Sequence, residues 1–163
     1  MPQYTHVVTT NAESHMFLAD RLRSYKEQIQ RVLGLMDGSD RWAYMLWRAP
    51  LGVHLLDMDV NPRNFMQSAG SAGAMSVELG RIDEDGQYRL YTVGRPGGNY
   101  SGQPSVHIPF RGGERHVDAY PNEVFTADEA TEIYYHYFQT DRVPDGFVLR
   151  EFDLTWPKPE PTP

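Results

Sequence analysis

The stretch "NEVFTADEATEIYYHYFQTDRVPDGFVLREFDL", Asn122 to Leu154, contains the reading on which the fold turns. Thr126 and Glu129 are spaced as a capping box, and Phe125 is placed as a staple residue before the cap. Ala130, Ile133, Tyr134, Tyr137 and Phe138 then recur at i, i+3, i+4, i+7 and i+8, which is one apolar stripe. Glu132, Tyr135, His136 and Gln139 take the other side of the helix. The helix is predicted to stop near Thr140, where Pro144 and Gly146 turn the chain into a closing strand, "FVLREFDL". Helical spacing thus assigns Tyr134, Tyr137 and Phe138 to a core and leaves His136 without a partner.

Upstream, "QYTHVVT" (Gln3 to Thr9) is short and β-branched enough for a first strand. Thr10 and Glu13 have capping-box spacing, and Leu18, Leu22, Tyr25, Ile29, Val32 and Met36 follow at helical intervals. These positions predict an amphipathic helix ending at Gly34 or Gly38. "RWAYMLWR" (Arg41 to Arg48) reads as a strand, with "VHLLDMDV" (Val53 to Val60) as its hairpin partner. Residues 61–74, rich in Gly, Ala, Ser and Asn, read as a long loop anchored by Phe65 and Met66. "MSVELGR" and "QYRLYTV" flank an acidic tip, Ile82 to Gly86, as a second hairpin. "GRPGGNYSGQP" (Gly94 to Pro104) is irregular, and "SVHIPF" is a short edge strand because Pro109 cannot donate to a ladder. Without regular strand–helix alternation, this order predicts an α+β domain: a mainly antiparallel sheet carrying an N-terminal and a C-terminal amphipathic helix. Residues 1–156 form its single domain, and residues 157–163 a Pro-rich disordered tail.

The 163 residues, about 40% of them hydrophobic, suit one core. The absence of cysteine excludes disulfides, thiolate metal sites and cysteine nucleophiles. No signal peptide and no membrane-length apolar run is evident, so a cytoplasmic protein without membrane contact is expected. The net charge of −7, from 22 acidic and 15 basic residues, argues against direct nucleic-acid binding. It suits a basic protein partner, though an ordinary soluble surface is the plainer reading.

None of the chemical signatures is complete. The six histidines never fall at i, i+4 on one predicted helix, so a zincin-type site lacks support. Asp57 and Asp59 project from one face of a predicted strand and could hold a cation or divide acid and base roles, as a small metal-dependent hydrolase or lyase would with a histidine such as His54. Alternatively they form a solvent face, with Leu56 and Met58 inward. The glycine loop has no strand-to-helix frame for a dinucleotide, and Ser101 has no nucleophile elbow. Its Arg95, Asn99 and Tyr100 fit protein recognition, a small-molecule site or a plain connection. No enzyme, metal or cofactor is therefore expected.

The helix ending in aromatic-Gln-Thr, then "DRVP", then a strand resembles the C-terminal unit of immunity protein family one from bacterial polymorphic toxin systems. Members of that family usually close with T-G-x-x-P and a strand bearing W-x-E. Asp141 stands here after Thr140 in place of the usual Gly, and Leu149 near the usual Trp, while Arg150-Glu151 keeps the polar end. "VELGRIDEDGQYRLYTVGRPGGNYSG" resembles the family's central hairpin and Gly-Tyr-Ser segment, and "YPNEVF" the entry to its last helix. The resemblance covers roughly Met75 to Leu154.

What the resemblance implies is an inhibitor that binds the toxin domain encoded beside it and occludes that domain's active site. Deaminases and nucleases are the implied toxins, and their basic clefts make the acidity sensible. Expected contacts are Asp83, Glu84 and Asp85 at the hairpin tip, for charge complementarity, and Arg95, Asn99 and Tyr100 in the glycine loop, as anchors. Glu132 and Tyr135 on the outer helix face are further candidates.

Overall fold

A computed structural model of the protein describes residues 5–19, 22–50 and 62–152. Its elements, in chain order, are β1 (His6–Thr10), β2 (Ser14–Phe17), α1 (Tyr25–Gly34), β3 (Ala43–Arg48), β4 (Phe65–Ser71), β5 (Ala74–Met75), β6 (Glu78–Ile82), β7 (Tyr88–Gly94), β8 (Val106–Phe110), β9 (Arg115–Ala119), α2 (Ala127–Thr140) and β10 (Val148–Glu151). The main sheet is antiparallel, in the order β10-β7-β6-β4-β3-β1-β2, with β5 paired to β4. β8 and β9 form a separate hairpin. Both helices pack on one face, so the described residues form the α+β fold that the sequence predicts. None of their helices is long and apolar enough to cross a membrane.

α2 follows its sequence pattern closely. Thr126 accepts from the Glu129 N–H, and the Glu129 carboxylate accepts from the Thr126 N–H at 3.0 Å. Ala130, Ile133, Tyr134 and Tyr137 are buried against Val8, Tyr44, Leu46, Met66, Leu79 and Val93 of the sheet. The Tyr134 hydroxyl, dragged into that core, donates to Ser68 Oγ at 2.8 Å and so is not left unpaired.

The helix ends at Asp141, in the left-handed region at φ 60°, with its N–H donating to the Tyr137 carbonyl at 2.8 Å. This conformation strains any residue with a Cβ, and the exposed Arg48–Asp141 ion pair (3.0 Å) offsets the strain by at most ~1 kcal/mol. Asp141→Gly is therefore expected to be at least as stable as wild type in urea denaturation. Asp141→Ala, which keeps the strain and loses the pair, should fall about 1 kcal/mol below the glycine variant. Equal stability of the two would show that the backbone conformation does not matter there.

Three expectations are corrected. First, Thr10 and Glu13 do not cap a helix. They flank a tight turn in which Asn11 and Ala12 both have positive φ, a turn whose twist suits a hairpin, so the chain continues as β2. Asn11 holds the turn by accepting from the Trp42 N–H at 2.9 Å. The helix starts later, at a capping box made by Ser24 and Glu27, and Leu22 is 94% exposed. Second, residues 61–74 are not a loop where described: Phe65–Ser71 is a central strand, between β3 and β6. Its small residues answer to crowding by their neighbours. Ser68 lies under Tyr134, and a Cβ on Gly70 (φ 127°) would run into the Ala74 carbonyl and the Ile108 side chain. Third, both edges of β3 are taken by β1 and β4, while its expected partner, Val53–Val60, lies outside the described residues. So does the Pro-rich tail. β9 was not anticipated, and it turns the expected edge strand β8 into half of a hairpin.

Candidate functional site

Strand register places one polar row across the sheet face opposite the helices. His15, Thr9, Met45, Gln67, Glu78, Thr92 and Arg150 lie side by side on β2, β1, β3, β4, β6, β7 and β10. The next row on that face is apolar, with Val7, Trp47, Phe65 and Leu90 in a second small core. Trp47 Nε1 donates to Thr9 Oγ1 at 3.0 Å, and Thr9 also bonds His15 Nδ1 at 2.8 Å.

Glu78 is 9% exposed, and burial pushes its carboxyl up to about 7 against the opposing influence of Gln67 and Arg150. It borders a cavity of about 160 Å³ walled by Thr9, Trp42, Met45 and Gln67, with Phe110 and Val117 of the β8–β9 hairpin as its roof. A carboxyl near neutrality can hold or release a proton, as catalytic acids do. Among the described residues, no nucleophile is hydrogen-bonded to it.

Arg150, at the end of the row, is held by a buried acid. Its Nε and Nη2 donate to Glu123 Oε2 and Oε1 at 2.8 and 2.9 Å, and Glu123 is 0% exposed. The same carboxylate accepts from the Tyr120 N–H at 2.9 Å, and the guanidinium lies over the Tyr120 ring. This fork welds the closing strand β10 to the entry of α2.

The residues singled out in the sequence do not form one surface. Asp83, Glu84 and Asp85 lie at one end of the β6–β7 hairpin and the glycine loop at the other. Asp83 accepts from the Tyr91 hydroxyl, Arg89 and Arg81, which together hold its carboxyl down to about 2. Asp85 is paired to Arg89 at 2.6 Å, and Glu84 is exposed between them. This tip faces Asp141 and Arg142 across an open groove. Arg95 is a clamp: it donates to Glu129 and to the Val124 carbonyl and lies over the Phe125 ring. Asn99 closes its own turn by accepting from the Ser101 N–H at 2.9 Å. The Tyr100 hydroxyl accepts from Asn122 Nδ2 at 2.8 Å, and its ring packs edge-on against Tyr120. On α2, Glu132 pairs with Lys26 at 2.6 Å and Tyr135 lies under the same ammonium group. Asp57, Asp59 and His54 lie outside the described residues.

Sequence reasoning missed Glu78 because strand alternation assigns it to solvent, and the cavity that it shares with the unanticipated β8–β9 hairpin is not visible in the sequence. It also missed His107, His116 and Asp118, which that hairpin gathers on its outer face. A signal was present in the H-x-D spacing at 116–118, since residues two apart share a strand face. Compared with protein-family models, curated proteins and solved structures, the chain matches none.

Proposed function

We propose that the chain is an immunity-type inhibitor. It binds a cognate polymorphic-toxin domain, of the nucleic-acid-targeting kind such as a deaminase or nuclease, and occludes that domain's active-site cleft. The observation that carries this reading is the resemblance of Met75 to Leu154 to immunity protein family one. Two features of the molecule support it. Asp141, where the family has Gly, takes the left-handed backbone for which glycine is the natural residue. The segments "YPNEVF" and "FVLREF", two separate parts of the resemblance, are bonded to each other through Glu123 and Arg150.

The contact that we assign is the β6–β7 tip with its groove. Arg81 and Arg89 brace Asp83 and Asp85 from within, which leaves Glu84 as the carboxylate free to meet a basic cleft. Arg95 and Tyr100 shape the glycine loop at the other end of the hairpin.

Co-expression with the toxin domain encoded beside this chain is expected to restore growth and to yield a co-purifying complex. Absence of both complex and rescue would remove the proposal. Within a complex, Glu84→Lys should slow association several-fold and flatten its salt dependence, with little change in dissociation.

A further inference from the structure

We infer that the outer face of the β8–β9 hairpin is a binding site for a divalent transition metal of the zinc class, held by His107, His116 and Asp118. This goes beyond the inhibitor reading and does not depend on it. Alternation along the hairpin turns Ile108 and Ala119 inward, to 1% and 0% exposure, and sends the three polar residues outward. Register sets His107 directly opposite Asp118, while His116 shares the face two residues along β9. The two imidazoles stack with centroids 3.9 Å apart.

Distances support chelation. One potential ligand atom from each residue lies within 4.8 Å of the other two. His107 Nδ1 is 3.1 Å from Asp118 Oδ1, and His116 Nε2 is 3.6 Å from Asp118 Oδ2. A tetrahedral zinc ion with bonds of about 2.0–2.1 Å sets its ligand atoms about 3.3 Å apart. The existing spacing is therefore within a small rotamer adjustment of a metal site. All three side chains are at least half exposed, which leaves solvent space for that adjustment.

The donor set selects the metal. Two imidazole nitrogens and one carboxylate oxygen favour zinc, copper, nickel or cobalt over calcium and magnesium, which prefer all-oxygen shells. Three protein ligands leave a coordination position open to water or to a donor from a partner. The strands hold two ligands opposite each other before binding, so little backbone ordering opposes it.

The test is calorimetric titration of zinc chloride into the full chain after chelator treatment. Saturable binding of one equivalent is expected, with no comparable heat from magnesium or calcium. His107→Ala, His116→Ala and Asp118→Asn should each weaken binding at least about tenfold, whereas His136→Ala should not. Cobalt(II) bound to wild type should show visible absorption bands that disappear in His116→Ala. Absence of saturable zinc binding would overturn the assignment, as would binding that survives both histidine substitutions. Equal affinity for calcium would overturn the metal class.

Discussion

Arg150→Met is expected to be among the most destabilising single substitutions in the molecule, costing about 3–5 kcal/mol in chemical denaturation at pH 7. The magnitude follows from what it leaves behind. Glu123 is fully buried, and two of its three hydrogen bonds come from the Arg150 guanidinium. Methionine matches the length of the stem and packs over Tyr120, but it donates nothing, so a desolvated carboxylate is left with one backbone N–H. Removing both charges is a different experiment. The double variant Glu123→Gln/Arg150→Met keeps an acceptor for the Tyr120 N–H and leaves no unpaired charge, so it should recover more than half of the loss. A loss below about 1 kcal/mol in the single variant would show that the pair is not a structural weld. The cost should also grow above pH 7, because Arg150 helps to hold the nearby Glu78 charge.

The outline of this weld was legible in the sequence, and its chemistry was not. Thr126, Glu129 and the stripe from Ala130 to Phe138 announce α2, because the helical period is strong over fourteen residues. The β6–β7 hairpin was equally plain, since alternation and an Asp-Gly turn point the same way. Glu123 reads as a polar residue near a helix start, and only the return of β10 beside β7 brings Arg150 to it. β4 failed for a related reason. Ser68, Ala69 and Gly70 have weak strand preference by themselves, and the small size of Ser68 and Gly70 has meaning only once Tyr134 and Ile108 press on the strand. Site residues followed the same division. Carboxylates conspicuous in the sequence, Asp83 and Asp85, turned out to be neutralised by arginines two to six residues away. Glu78 and the histidines of β8 and β9 owe their position to pairings between distant segments, which composition and spacing do not report.

The second large effect is hidden in wild type and appears only in variants. Glu78 and His6 are both buried, at 9% and 2% exposure, and their titrations oppose each other. Folding raises the Glu78 carboxyl from an ordinary 4.5 to about 7, so the folded state binds the extra proton and stability falls as pH rises through that window. Folding lowers the His6 imidazole from 6.5 to about 4, through burial first and the Arg48 charge second, with Asp141 opposing. Among the described residues its Nε2 has no hydrogen-bond partner, which fits a ring kept neutral. There the unfolded state binds the extra proton, and stability rises with pH between about 4 and 6.5. One titrating group contributes about 1.4 kcal/mol per pH unit, so across pH 4.5–6.5 the two slopes cancel. The depressed carboxyls, Asp37, Asp83, Asp85 and Glu129, act below that range. Wild-type stability should accordingly be nearly flat from pH 4.5 to 6.5. Glu78→Gln should climb by about 2–3 kcal/mol over the same interval and exceed wild type by a similar amount at pH 8. His6→Gln should show the mirror image, a fall of comparable size. Urea denaturation of the three proteins at five pH values decides the matter. A Glu78→Gln profile parallel to wild type would mean that the carboxyl is not buried in its charged form, and the cavity beneath the β8–β9 hairpin would then be open to water.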